Sequence, residues 1–165
     1  MTFRSMLAVA AVLGACALQA RARPAPSTPP PVYVQECGAC HVPYPARGLA
    51  AADWRRVLDR LDRHFGSDAA LDAATVAQIG SWLDANAGRG PAQASADLPR
   101  VTTASWFVRE HDEVPARVWR SPEVQRASNC AACHAGAAEG IFSEHSVRVP
   151  DAARASPSGH LGDRR

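Results

Sequence analysis

Cys130-Ala131-Ala132-Cys133-His134 decides the reading of this chain, together with its twin Cys37-Gly38-Ala39-Cys40-His41. Two thiols separated by two residues can each bond to one vinyl group of a haem, while the histidine that follows at once ligates its iron. Two such pentads imply two covalently bound haem c groups, one held by Cys37 and Cys40 and one by Cys130 and Cys133. His41 and His134 are then the proximal iron ligands. The same thiol spacing also serves zinc sites and thiol redox pairs. A four-cysteine zinc site draws its halves from nearby sequence, whereas these lie about ninety residues apart. A thiol redox motif sits beside a βαβ pattern, and none is visible. A histidine directly after the second cysteine, twice, is predicted by haem attachment and by neither rival.

Upstream, Arg4 precedes an apolar run from Met6 to Leu18 that is too short to span a bilayer as a helix. It has the form of an export signal. Ala20 and Ala22 offer small-residue cleavage points, so residues 1–22 read as a signal peptide. Leu13-Gly14-Ala15-Cys16 also resembles a lipoprotein box, in which an acylated Cys16 would anchor the protein to a membrane. Either route places the working protein in the periplasm, and neither leaves a transmembrane helix in the mature chain. Residues 23–31, which include Pro29-Pro30-Pro31, read as an extended tether.

Composition constrains the remaining iron ligands. The two methionines, Met1 and Met6, fall inside the signal, and the chain has no lysine. A haem iron with one histidine ligand commonly takes methionine or a second histidine as the other, so the candidates are His64, His111, His145 and His160, or an open position. Two histidines per iron is the default. Because methionine ligation raises the reduction potential, both haems are expected on the low side of the roughly 0.8 V range that axial ligands command.

The folded part begins near Val32. From Asp53, a plausible N-cap, the residues Trp54, Val57, Leu58, Leu61 and Phe65 form an apolar stripe ended by Gly66, and His64 lies on its edge. A second helix is expected from about Asp72 to Ala87, closed by Gly88. Residues 32–88 thus form a first haem domain and 89–99 a linker, marked by Gly88-Arg89-Gly90-Pro91. The second haem domain is 100–150: Thr102 and Thr103 as caps, then Trp106, Phe107 and His111, a break at Pro115, and the second pentad. Tyr44, between Pro43 and Pro45, either packs on a porphyrin or caps the core, while Ile141 and Phe142 close over a haem edge. Residues 151–165 form a polar tail that carries His160, and the polar surroundings of His145 place it at the surface. The fold class is therefore mostly α: two small helical haem-binding domains joined by a short linker, with few or no strands.

Charge adds little. Of 18 arginines, loss of Arg4 and Arg21 with the signal leaves 16 against 16 acids, and no basic cluster supports nucleic-acid binding.

Taken together, Glu36-Cys37 to His41 with Tyr44-Pro45, Trp54, His64-Phe65-Gly66, Trp106-Phe107 with Arg109-Glu110-His111, and Asn129-Cys130 to His134 resemble the small bacterial periplasmic dihaem cytochromes c. The resemblance covers roughly Val32 to Pro150 and departs from the family pattern at Arg47 to Ala52, where a prolyl and leucyl stretch is expected. It implies two helical haem domains with bis-histidine ligation. His64 and His111 match family blocks and carry over as distal ligands; membership of the two expected domains, not the resemblance, favours His64 for the first iron and His111 for the second. The resemblance also implies electron transport without substrate turnover, and redox partner proteins that include a membrane cytochrome b and a monohaem cytochrome c. Three functional classes follow: an electron carrier with two closed irons, a haem-based gas-ligand sensor or binding protein, and a dihaem peroxidase-type enzyme, which needs one open iron. The expectation is the first, a carrier and not an enzyme.

Overall fold

A computed structural model describes residues 27–94 and 97–150. The export signal, Cys16, residues 23–26 of the tether and the tail with His160 lie outside the described residues. Within them there are five α-helices, joined by single 3-10 turns and loops, and no strand. The helices are α1 (Pro31–Gly38), α2 (Ala51–Leu58), α3 (Ala73–Asn86), α4 (Ser105–Glu110) and α5 (Ala116–Trp119). No helix among the described residues is long and apolar enough to cross a membrane.

The expected second helix is present as α3. Asp72 caps it, accepting hydrogen bonds from the backbone N–H groups of Ala74 and Thr75, both at 3.0 Å. It ends at Ala87 because the next residue must pass close to another strand of chain. The Gly88 N–H donates to the Leu49 carbonyl at 2.7 Å, and a Cβ at Gly88 would collide with the Arg47 carbonyl. The inner face of α3 supplies Ile79 and Leu83, both fully buried against α2 and α1. The last residues of the tether are held to the same helix: Ser27 N–H donates to Asn86 Oδ1 at 2.9 Å, and Trp82 Nε1 donates to Ser27 Oγ at 3.0 Å.

The expected helix from Asp53 to Phe65 is shorter and starts earlier. Ala50 is the N-cap of α2 and Asp53 lies inside its first turn, 1 % exposed. Past Leu58 the chain turns on i→i+3 bonds, Arg60 N–H to the Val57 carbonyl and Arg63 N–H to the Arg60 carbonyl, and the Leu61 carbonyl accepts from Ala69 N–H at 2.8 Å. Thr102 and Thr103 do not cap α4 either. Ala104 occupies that position, and the Thr103 hydroxyl serves Gln93 instead, at 2.9 Å.

Buried apolar residues form two clusters. The larger joins Tyr33, Leu49, Trp54, Val57, Ile79 and Leu83 to Val101, Ala104 and Phe107, so it draws on both sides of 89–99. The smaller centres on Val118 and Val124, and Trp119 packs against both. The stretch at Arg47 to Ala52 that departs from the family pattern is structural: Trp54 Nε1 donates to the Ala46 carbonyl at 2.6 Å and Trp106 Nε1 to the Gly48 carbonyl at 2.8 Å.

Candidate functional site

Each pentad sits on one turn of helix, which brings cysteines three apart to the same side. Cys37 is in the last turn of α1, with Cys40 just past its Ala39 C-cap. Cys130 opens a 3-10 turn that Cys133 closes, with His134 N–H donating to the Cys130 carbonyl at 2.8 Å. None of the four cysteines forms a disulfide among the described residues. Burial pushes the Cys37 thiol up to about 11, with Glu36 adding to it, and burial likewise raises Cys130 and Cys133. A catalytic thiol pair needs the opposite shift.

The chain brings a second histidine to each pentad. His41 and His64 face each other with ring centroids 6.2 Å apart and planes 21° from parallel. His134 and His111 repeat the 6.2 Å separation, with planes at 70°. His145 is exposed, as its polar surroundings predict.

His64 is presented by a tight turn. Phe65 (φ 51°) and Gly66 (φ 97°) both have positive φ, and Ser67 N–H closes the turn on the His64 carbonyl at 3.0 Å. This is type I′ geometry, which glycine adopts freely and phenylalanine only under strain. Two contacts hold Phe65 there: the Arg100 guanidinium 4.1 Å from its ring centroid, and the His64 ring at 4.8 Å, edge to face. His111 sits at the C-cap of α4, its ring stacked on Phe107 at 4.0 Å and tilted toward Trp119 at 5.9 Å. Phe142 packs against His134 at 5.5 Å, while Ile141 stays 53 % exposed. A strap across the back of the second pentad escaped the sequence reading: His134 pairs with Val147, and Arg148 N–H donates to the Cys133 carbonyl at 2.9 Å. It has no motif, only apolar residues spaced by polar ones.

Proton positions fit a metal-binding role. His41 Nδ1 lies 2.8 Å from the Val42 carbonyl oxygen and His111 Nδ1 2.8 Å from that of Phe107. A carbonyl only accepts, so these nitrogens carry the proton and each Nε2 presents a lone pair. Burial, then the neighbouring His41, then Arg100 hold His64 below the usual histidine value; burial and then His111 do the same for His134. Both shifts favour the neutral ring that a metal ligand needs. The Nδ1 atoms of His64 and His134 are buried without a hydrogen-bond partner among the described residues.

Two imidazole–metal bonds of about 2 Å each, with the ring radii added, span about 6 Å between centroids. The observed 6.2 Å in both pairs therefore fits one metal ion between each pair. Among the described residues no group of three or more His, Cys, Asp or Glu could hold a bare ion. Two protein ligands suffice only where a macrocycle supplies the rest, and the adjacent cysteines suit its covalent attachment.

The family model for dihaem cytochrome c matches residues 33–142. The chain belongs to the dihaem cytochrome c family. It is 36 % identical to the dihaem cytochrome c of Shewanella baltica OS155, with 76 % of this chain and 96 % of that one covered and a TM-score of 0.66. Two structures of the Rhodobacter sphaeroides protein are 41 % and 40 % identical, cover 70 % and 72 % of this chain and 98 % and 100 % of theirs, and give TM-scores of 0.60. No curated protein matches. Family membership gives the chain two covalently bound haems and a haem-based electron-carrier role.

Proposed function

We propose that the chain relays single electrons between redox partners through two low-potential haems, His41 and His64 ligating the first iron and His134 and His111 the second. The observation that carries this reading is the 6.2 Å facing of both histidine pairs, each pair taking one member from a pentad and one from a separate turn. When bound, each haem supplies an iron that holds or releases one electron. The protein's part is to close both faces of that iron, so that neither substrate nor gas reaches it. The stacked Phe107, the Trp119 edge and the tight turn at His64 fix the distal rings, and the carbonyls of Val42 and Phe107 fix the tautomers of His41 and His111.

With Met1 and Met6 the only methionines, a methionine ligand has no source in the described residues, which supports potentials on the low side. The apolar N-terminal run supports export to the periplasm, with anchoring through Cys16 as the variant form. By resemblance to the family, the partners are a membrane cytochrome b and a monohaem cytochrome c.

Replacing His64 and His111 by alanine, one at a time, tests both ligation and pairing. Each variant should turn one haem high-spin and able to bind carbon monoxide while the other stays low-spin. Retention of two closed low-spin haems in either variant would overturn the assignment of that histidine.

A further inference from the structure

Tyr44 touches both haem sites. Its ring stacks on His41, centroids 4.8 Å apart and planes within 25°. Its hydroxyl donates to the Ser128 carbonyl at 3.3 Å, across 84 residues of sequence. That same carbonyl oxygen lies 3.8 Å from Cys130 Sγ, the first attachment point of the second haem. Few degrees of freedom remain to the residue itself. Pro43 and Pro45 restrict the backbone on either side, and the buried Tyr33 hydroxyl donates to the Tyr44 carbonyl. A residue needed only to fill the core would bury its ring among apolar neighbours. Tyr44 does pack against the larger apolar cluster, but its ring also faces an imidazole and its hydroxyl reaches Ser128, two residues before the opposite pentad.

We propose that Tyr44 is a positioning residue that couples the two haem sites, holding the His41 ring in one orientation and the loop carrying Cys130 at one distance from it. The coupling rests on the reading of His41 as an iron ligand. In exchange between the sites, one electron leaves one iron as the other iron gains it. Tyr44 keeps its proton and its oxidation state throughout, and burial, which pushes its phenol up to about 12, suits that passive role. It sets the geometry over which the exchange occurs.

Two variants of the holo-protein separate the two contacts. Tyr44→Phe keeps the ring on His41 and removes the hold on Ser128. Loss of one hydrogen bond should lower the population in the coupled geometry about fivefold, and slow electron exchange in half-reduced protein to match. The electron paramagnetic resonance spectrum of each haem should stay unchanged in this variant. Tyr44→Leu also frees the His41 ring. It should slow exchange at least as much and shift the resonance of the His41 haem alone, a change that a loss of general stability would not confine to one iron.

Exchange in Tyr44→Phe within about twofold of wild type, with both haems attached, would overturn the proposal even if Tyr44→Leu fails to fold, since a twofold change is below the usual worth of a hydrogen bond. The wild-type spectrum keeps the two readings apart. A first haem that is high-spin before any substitution refutes closure of the first iron by His41 and His64 together. A low-spin first haem with exchange indifferent to Tyr44 refutes the coupling alone.

Discussion

Replacing Asp53 by alanine should destabilise the holo-protein by about 1–4 kcal/mol. The carboxylate is 1 % exposed, and both its oxygens lie 3.1 Å from the Gln93 backbone nitrogen. Removing it leaves that N–H without its acceptor in a part-buried setting, at about 1–3 kcal/mol. The Arg56 contact at 3.3 Å adds little, about 1 kcal/mol at most, because Arg56 is 33 % exposed and also donates to the Gln93 carbonyl. The consequence reaches past one bond. The Gln93 side chain donates to the Arg100 carbonyl at 2.7 Å and accepts from Thr103 Oγ1 at 2.9 Å, so Asp53 ties α2 to the segment that leads into α4 and His111. Guanidinium unfolding followed by far-ultraviolet circular dichroism should show the loss, with the melting temperature lower by about 5–15 °C. Asp53→Asn retains one acceptor and should lose about half as much. An alanine variant within about 0.5 kcal/mol of wild type, as for an unremarkable surface site, would refute the reasoning.

Three further outcomes are expected. Gly88→Ala forces a methyl into the Arg47 carbonyl and breaks the Gly88–Leu49 bond, which should cost about 1–3 kcal/mol in the same unfolding assay. At Asp72, hydrogen bonds from the Thr75 hydroxyl and the Thr75 backbone hold the carboxyl below its usual value. Its stabilisation is complete above the unfolded pKa and lost as pH falls through the lowered folded one, so the melting-temperature gap between wild type and Asp72→Asn should close below about pH 4. His64→Met should raise the potential of one haem by a fraction of the roughly 0.8 V that axial ligands command and leave the other in place, read by redox titration.

Haem attachment and helix α3 were legible from residues alone because their signals are local: cysteine spacing in one case, a capping aspartate and an apolar face in the other. His64 stood out in the sequence as a candidate ligand but not as a turn residue. Leu61 and Phe65 continue a helical period, yet the chain tightens into a 3-10 turn at Leu61–Arg63 and the Leu61 carbonyl accepts from Ala69 N–H. Phe65 in a left-handed conformation could not be read from propensity, since Arg100, thirty-five positions on, helps to hold it. Asp53 carried the signature of a cap and is instead the buried acceptor for Gln93, a role fixed by a residue forty positions away. The shared core is hidden for the same reason. Val101, Ala104 and Phe107 follow a turn-rich segment that reads as a boundary, yet they pack with Leu49 and Trp54.

The most direct test of iron held between paired imidazoles in both sites is the visible and near-infrared spectrum of purified holo-protein, oxidised and reduced, with and without carbon monoxide. A haem-to-protein ratio is measured on the same sample. Two low-spin haems per chain, lacking a methionine-sulfur band and unmoved by carbon monoxide, are the expected result. A high-spin fraction in the oxidised protein, or a carbon monoxide shift in the reduced protein, would contradict it and show one iron to be open.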